Sequence, residues 1–317
     1  MSNVENKPRR KAGKIFLIIF LIILAVIGYF VYDVFTNVSD TFTQIHEEVI
    51  PDRDIRREQD LPPVVLGETP FSVLILGIDH DFPGDPGRAD TIMIATINPN
   101  LGSTYLLSIA RDTMVDIPGF WTTRINHAHA YAGGGVAGVQ LTIDTIQQFL
   151  NIPIDYYATL REDGFGDFID AVGGVRVYND TVAFSMNGHH FPLGYNDLTG
   201  DSALSFVRMR MQDPHGDFGR QQRQRAVIGS LINELAGVSV ITRYQEVLEA
   251  TGAHMRTDVT MSEAMTMSIN YNRALRNITN LSLHAPGSII NGMYLIPIPE
   301  HQRLEMSQLL REHLELD

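Results

Sequence analysis

Residues Phe71–Ile78 read FSVLILGI, a short apolar run rich in branched side chains. Runs of this length and composition are typical of a strand that is buried on both faces of a sheet. Two similar runs follow, TIMIATI at Thr91–Ile97 and TYLLSI at Thr104–Ile109, and the turn Asn98–Gly102 joins them. The three runs predict successive strands at the start of the folded body.

Further along, the chain alternates between helical and strand patterns. Helices are predicted over Val136–Leu150, Phe165–Val172, Asp217–Leu235, Ile241–Ala250, Ser262–Leu275 and Glu300–His313. Strands are predicted over Tyr156–Leu160, Val175–Tyr178, Leu281–Ala285 and Gly292–Ile296. Such alternation, with no linker after Pro70, indicates a single α/β domain.

The N-terminal part of the chain has the pattern of a membrane anchor. Ile15–Tyr32 contains no charged residue and would span about 27 Å as a helix, enough to cross the hydrocarbon of a bilayer. Five basic residues against Glu5 precede it, which predicts a cytoplasmic N-terminus and an extracytoplasmic remainder. A cleaved signal peptide is the alternative, but the bulky stretch Tyr29–Tyr32 offers no small-residue cleavage site.

These patterns divide the chain into four parts. Residues 1–14 are predicted to form a cytoplasmic basic tail, 15–32 the transmembrane anchor, 33–69 an extracytoplasmic stalk, and 70–317 the folded domain. The stalk assignment depends on the polar, charged composition of the third part and on Pro51, Pro62 and Pro63 within it.

The charge balance excludes one class of partner. The chain has a formal net charge of −13, and the N-terminal tail is basic, so the predicted outer part is more acidic still. A nucleic-acid partner is not expected, because binding it needs a basic face that displaces counterions. There is no cysteine, so neither disulfides nor thiol chemistry are available.

Against this acidic background, Ser205–Arg225 is strongly basic. It reads SFVRMRMQDPHGDFGRQQRQR and carries five arginines, whose planar guanidinium groups fit phosphate or carboxylate oxygens two at a time. The stretch is suited to hold a phosphorylated ligand. Surface ion pairs with Asp213 and Asp217 are the alternative.

The geometry of this stretch permits a phosphate site without requiring one. Arg208 and Arg210 would share a face on an extended segment but diverge on a helix. Arg220 and Gln224 are four residues apart and so lie on one side of the predicted helix, whose free N-terminal N–H groups favour an anion.

A second group of candidates lies around the first loop. Asp79 ends one predicted strand and Asp90 begins the next, with Arg88 beside them and Arg111 at the end of the third. Strand ends are where open α/β sheets place ligands, and Mg²⁺ needs only one or two protein carboxylates when substrate phosphates complete its shell. Solvated acids in a Gly/Pro loop are the alternative.

Several motifs together resemble the LytR-CpsA-Psr (LCP) family. They are LILGID (74–79), GRADTIMIATINP (87–99), LLSIARDTMVDIPG (106–119), RINHAHAYAGG (124–134), FIDAVGGVRV (168–177) and ALSFVRMRMQDPHGDFGRQQRQRAVI (203–228). Their order and spacing agree with the family. The resemblance implies a central mixed β-sheet flanked by helices, an apolar groove for a lipid tail, and one preceding transmembrane helix in a cell-membrane protein of mainly Gram-positive bacteria.

The resemblance also implies an activity and a set of site residues. Family members transfer a phosphate-linked glycopolymer (teichoic acid, capsule or similar) from a polyprenyl diphosphate carrier to peptidoglycan. By motif position Asp79 and Asp90 would hold Mg²⁺. The expected diphosphate ligands are Arg88, Arg111, Arg208, Arg210, Arg220 and Gln224, of which Arg111, Arg208 and Arg210 are expected to be catalytic.

Two positions depart from the family pattern. Arg124 replaces a frequent lysine, which keeps the charge and a substrate-binding role but changes the geometry, and Ala110 replaces a common proline before Arg111. The general base is left open between Asp112 and Asp217, since both are also placed to orient arginines.

Two functions other than transfer are compatible with the same residues. A membrane-anchored sensor that binds polyprenyl-diphosphate sugars, or a lipid pyrophosphate hydrolase, would use the same pocket. His127, His129, His189 and His190 could suggest a transition-metal site, but the first two lack the helical i, i+4 spacing of metal ligands and no cysteine joins them. They are expected to be surface or loop residues. Trp121 is suited either to stack on a sugar or to pack its own loop.

Overall fold

The computed structural model of the protein describes residues 28–29, 32–49, 61, 63–80, 82, 84–235 and 243–316. The predicted cytoplasmic tail and nearly all of the predicted anchor lie outside these ranges. No helix within them is both long and apolar enough to cross a membrane.

The elements follow in this order. The strands are β1 (Phe71–Asp79), β2 (Arg88–Asn98), β3 (Ser103–Ile109), β4 (Met114–Asp116), β5 (Thr122–Arg124), β6 (Tyr156–Arg161), β7 (Val175–Asn179), β8 (Phe184–Met186), β9 (His189–Phe191), β10 (Gly194–Leu198), β11 (Met255–Thr257), β12 (Ile278–Ser282), β13 (Ser288–Ile290) and β14 (Met293–Leu295). The helices are α1 (32–45), α2 (His127–Tyr131), α3 (Gly135–Leu150), α4 (Glu162–Val172), α5 (Gly200–Arg208), α6 (Asp217–Leu235), α7 (Tyr244–His254), α8 (Met261–Asn270), α9 (Asn272–Leu275) and α10 (Glu300–His313).

A six-stranded mixed sheet has the order β11-β6-β1-β2-β3-β12. β2 runs antiparallel to both β1 and β3, whereas β6 is parallel to β1 and β12 is parallel to β3. The ends of β1, β3 and β6 and the start of β2 therefore meet at one edge. This edge positions the candidate site.

The two faces of the sheet are covered differently. Leu74 and Leu76 of β1 pack with α3 and α10 through side chains such as Ile143 and Leu310, and all four are fully buried. The alternating positions of β1 face a second cluster that includes Met93 and Tyr271, and here Val73 and Ile75 are only half-buried. Period-2 side-chain alternation explains why one strand serves both faces.

A further core lies among α4, α5, α6, α7 and the hairpins of β7–β10. Phe168, Phe206, Val227 and Val247 are buried within it. The Ile228 side chain of α6 packs against the cluster that includes Met93 and Tyr271. This one helix therefore connects the smaller core with the sheet.

The segment predicted as a stalk contains helix α1, whose C-terminal end packs on the domain. Ile45 and Val49 are 3% and 9% exposed, His46 forms a parallel bridge with Thr257 of β11, and the N–H of Glu47 donates to the carbonyl of Thr257 at 2.8 Å. The folded unit therefore begins before Pro70, because apolar side chains in a mostly polar segment are buried against the sheet.

Differences from the predicted elements have local causes. The helix predicted over Ser262–Leu275 is interrupted at Tyr271, which is buried and whose hydroxyl donates to the carbonyl of Thr69 at 2.7 Å. The strand predicted over Leu281–Ala285 forms three residues earlier as β12. Helix α5 was not predicted; Thr199 and Ser202 form its capping box.

Candidate active site

The edge of the sheet brings the two predicted metal ligands together. Asp79, the last residue of β1, pairs with Arg88, the first residue of β2, and Asp90 follows two residues later. Arg111 lies just beyond β3, the neighbour of β2 on its other side. Four candidates that are distant in sequence thus share one end of three adjacent strands.

Asp90 fixes the orientation of Arg111. One carboxylate oxygen accepts a hydrogen bond from Arg111 Nη1, and the other accepts from Asn126 Nδ2 at 2.8 Å. Burial acts to lower the pKa of Arg111, but the carboxylates of Asp90 and Asp112 outweigh it, so this pKa is raised. The Arg111 guanidinium is therefore held in a defined orientation and stays positively charged.

Asn126 was not predicted as a site residue. It lies within the RINHAHAYAGG stretch, and its position just before α2 is the only sequence signal that could have indicated it.

Asp79 belongs to a second charged group. Burial raises the pKa of Asp79 to about 6, and the carboxylate and hydrogen bond of Glu162 add to the rise, while Arg208 opposes it. Arg208 Nε also donates to Glu162 Oε1. Glu162, the first residue of α4, thus connects Asp79 with Arg208, and sequence reasoning missed it because its role depends on β6 lying beside β1.

The remaining arginines converge from α6 and the segment before it. Arg220 is 8% exposed, and its Nη2 lies 2.8 Å from Asp217 Oδ1. Burial lowers the pKa of Arg220, and the positive charges of Arg111 and Arg210 lower it further. The Nε of Arg220 has no hydrogen-bond partner within the described part of the chain. Three neighbouring cations with a spare buried donor form an arrangement that a polyanion would stabilise.

Arg208 and Arg210 do not share one regular element. Arg208 is the last residue of α5, and Met209 after it is extended, with φ −60° and ψ 132°. Because the backbone changes from helical to extended at Met209, Arg208 pairs with Glu162 while Arg210 lies close enough to Arg220 for their charges to interact. Neither the purely extended nor the purely helical geometry considered from sequence is observed.

Arg124 and Gln224 border the same region. Arg124 Nε lies 3.3 Å from Asp112 Oδ1 and donates to the carbonyl of Tyr294 at 3.1 Å. Gln224 Nε2 donates to Thr91 Oγ1 at 2.9 Å and so ties α6 to β2. The nine residues predicted from sequence therefore surround one edge of the sheet.

Asp213 and Asp217 both pair with arginines, but these pairs are buried and not at the surface as the alternative to a phosphate site expected. Arg223 is buried, pairs with Asp213 and donates from Nε to the carbonyl of Phe206 at 3.0 Å. It therefore supports the fold and not the ligand site. Asp112 and Asp217 both face arginines, which fits the positioning role left open for them.

A divalent cation such as Mg²⁺ needs several oxygen ligands, which carboxylates, water and substrate phosphates can supply. Among the residues that the structure describes, no group of three or more His, Asp or Glu side chains could hold a metal ion. Asp79 and Asp90 nevertheless fit Mg²⁺, which takes few protein ligands when a substrate supplies phosphate oxygens. The pKa of Asp79 is raised first by burial and then by the nearby carboxylates of Glu162 and Asp90, and a bound cation would offset both effects.

The histidines serve other contacts. The Nδ1 of buried His129 lies 2.9 Å from the carbonyl of Gly87, which fixes the β1–β2 loop, and His189 Nε2 lies 2.8 Å from Asp201. Burial, followed by the charges of Arg124 and Arg88, lowers the pKa of His127. His127 therefore lies in the same electrostatic field as the predicted substrate ligands.

Comparisons with known proteins identify the relatives of this chain. The profile of the LytR_cpsA_psr family matches residues 32–312. A polyisoprenyl-teichoic acid–peptidoglycan teichoic acid transferase TagU of Halalkalibacterium halodurans is 40% identical over 303 residues, which cover 95% of this chain and 97% of the relative.

Solved structures show the same fold. The crystal structure of Bacillus subtilis TagU has a TM-score of 0.62 and 33% identity, with 78% of this chain and 97% of that chain covered. A structure of TagT bound to LIIa-WTA has a TM-score of 0.68 and 25% identity, with 84% and 97% covered.

Proposed function

The chain belongs to the LytR_cpsA_psr family, and from this premise we propose that it transfers a phosphate-linked teichoic acid from a polyprenyl diphosphate carrier to peptidoglycan. The observation that carries the proposal is the convergence of Arg111, Arg210 and Arg220 beside Asp90. The activity for which the Halalkalibacterium halodurans relative is named supports the choice of substrates.

The arginines would bind the diphosphate and stabilise the transition state. Guanidinium donors that are fixed before the substrate arrives need no reorganisation as charge develops on the phosphoryl oxygens. Asp90 and Asn126 hold Arg111 in this state, and Arg220 offers a spare N–H. A sugar hydroxyl attacks the phosphorus that bears the glycan, the bond to polyprenyl phosphate breaks, and the hydroxyl proton is released.

Asp79 and Asp90 would hold Mg²⁺, which supplies positive charge to the diphosphate oxygens when bound. Glu162 sets the environment of Asp79 and at the same time orients Arg208. The cation side and the arginine side of the site are therefore coupled through one carboxylate.

The apolar carrier needs a surface of its own. The half-buried Val73 and Ile75 of β1 lie on the sheet face that also receives Ile228 and Met267. We assign the polyprenyl tail to this face, because contact with the chain would remove exposed apolar surface from water. An anchor over Ile15–Tyr32 would keep the enzyme at the membrane that holds such a donor.

The proposal is tested with the full chain, a polyprenyl-diphosphate saccharide and peptidoglycan oligomers, with Mg²⁺ or with a chelator. We expect a covalent saccharide–peptidoglycan product that needs the oligomer and is lost on chelation. Arg111→Ala should abolish the product, and Arg176→Ala, which removes an exposed arginine paired with Asp197, should not.

Two outcomes would overturn the proposal. Bound, intact donor with no product under any condition would indicate a sensor. Release of saccharide phosphate at a rate independent of the oligomer would indicate a hydrolase.

A further inference from the structure

An exposed group of aromatic rings lies on the hairpin formed by β4 and β5. Phe120 and Trp121 at its tip are 43% and 61% exposed. Their rings contact Tyr131 of α2, with centroids 5.1 and 5.2 Å from the Tyr131 centroid, and lie 6.0 Å from each other. We call Phe120, Trp121 and Tyr131 the aromatic platform. Large rings left in water side by side are typical of a binding surface.

The aromatic platform is continuous with the charged site. Tyr131 contacts the ring of His127 at 5.4 Å between centroids, and its hydroxyl lies 3.3 Å from His127 Nδ1. Arg124, at the end of the same hairpin, faces Asp112. Trp121 and Arg124 are three positions apart in the sequence, a backbone distance of at most about 11 Å. A ligand that reacts among the arginines can therefore reach the aromatic platform.

The polar residues around the rings favour a sugar over a lipid surface. Asp116 and Thr122 are exposed on the same hairpin, and the Thr122 hydroxyl donates to the Asp116 carboxylate. These groups offer hydrogen-bond partners to sugar hydroxyls, while the carboxylate disfavours an anionic bilayer. The C–H groups on one face of a pyranose ring carry partial positive charge, which complements the negative face of an aromatic ring.

We propose that the aromatic platform binds the acceptor: it stacks on an uncharged N-acetylhexosamine of the peptidoglycan strand and so directs the neighbouring sugar hydroxyl toward the diphosphate. This assignment rests on the proposed transferase function. It gives the reaction a second substrate site, distinct from the arginine set that holds the donor.

The chain contains a single tryptophan, so its fluorescence reports on the aromatic platform alone. The full chain in nanodiscs is titrated with an N-acetylglucosamine tetramer, and a parallel sample contains brominated phosphatidylglycerol, which quenches rings inserted in the bilayer. We expect a saturable change in emission with the tetramer and no quenching by the brominated lipid. Quenching by the lipid, or no response to the tetramer, would overturn the proposal.

Kinetics provide the second readout. Trp121→Ala should raise KM for the peptidoglycan oligomer about ten-fold, with kcat changed about two-fold or less, since the ring contributes to acceptor binding and not to the chemical step. Trp121→Phe should keep most of the affinity.

The matched control is Tyr195→Ala. Tyr195 is 66% exposed and also belongs to an exposed aromatic pair, with Tyr178 at 5.0 Å between centroids, but it lies on β10. This variant should leave KM unchanged. An unchanged KM in Trp121→Ala as well would remove the aromatic platform from the acceptor site.

The two hypotheses fail in different ways. Tetramer binding without any transferred product would refute the transferase function and leave a glycan-binding surface. Product formation by wild-type protein, with no fluorescence response and no effect of Trp121→Ala, would refute the aromatic platform and leave the transferase.

Discussion

At the scale of single residues, Asp90 is the side chain on which the geometry of the site depends most. It is shared by Arg111 and Asn126, and its charge also acts on Arg220 and Asp79. One carboxylate therefore orients Arg111, the proposed transition-state ligand, and would also contribute to the proposed cation site.

Asp90→Asn keeps the shape of this side chain and removes its charge. We expect kcat for transfer to fall at least about 100-fold, because loss of one preorganised electrostatic contact has this effect in other enzymes. The melting temperature should change little, since the Arg111–Asp90 pair is partly exposed. Steady-state transfer and thermal melting measure the two effects.

Asp197→Asn is the matched control, because Asp197 also pairs with an arginine but lies on the surface at 83% side-chain exposure. Wild-type turnover by Asp90→Asn would exclude this residue from the catalytic machinery.

At the scale of elements, helix α10 is held by a neutral histidine at its end. His313 is buried, its Nδ1 lies 2.8 Å from Thr96 Oγ1 and its Nε2 lies 3.0 Å from Ser103 Oγ. Its ring stacks on Tyr105 with centroids 4.0 Å apart. The contacts join α10 to β2 and β3 at the end of the sheet opposite the site.

This contact predicts a pH dependence of stability. Burial lowers the pKa of His313 below its ordinary value of 6.5, with only Glu315 opposing. Its contribution to the free energy of unfolding is therefore fully present above pH 6.5 and is lost as the pH falls through the lower pKa of the folded state.

His313→Gln should lower the melting temperature at pH 7.5 but weaken its decrease between pH 7.5 and pH 5. Calorimetry of both proteins over this range measures the difference. A decrease as steep as that of the wild type would show that other groups cause the acid sensitivity.

The elements also show how far sequence reasoning reaches. α3 was predicted because its apolar side chains recur at helical spacing, and β1–β3 because their apolar runs are short and branched. The candidate site residues were found because they follow strands or open a helix. Glu162 and the break at Tyr271 were missed, since both depend on which elements become neighbours in space and no local pattern encodes this.

At the scale of the whole molecule, the site lies where two cores meet. Asp79, Asp90 and Arg111 come from the sheet, and Arg208, Arg210 and Arg220 come from elements of the smaller core. Glu162, which contacts both Asp79 and Arg208, and the Gln224–Thr91 hydrogen bond join the two groups.

The N-terminal helix contributes to this assembly. A shortened chain that begins at residue 61 should be less stable than one that begins at residue 32, by about 2–4 kcal/mol, because Ile45 and Val49 would no longer be buried. Urea denaturation of the two chains measures the difference. Equal midpoints and slopes would show that the end of α1 adds nothing to the fold.

Helix α6 would contact both the diphosphate and the hydrocarbon of a lipid-linked donor. Its 19 residues form a rod about 28 Å long, with Arg220 and Gln224 near one end and Ile228 on the apolar face of the sheet. The diphosphate head and the hydrocarbon tail of one donor lipid would therefore contact the same rigid helix. With the tail on the sheet face proposed for it, the fit of the hydrocarbon against Ile228 would affect how the phosphates sit beside Arg220 and Gln224, so tail length and headgroup position would be coupled through α6.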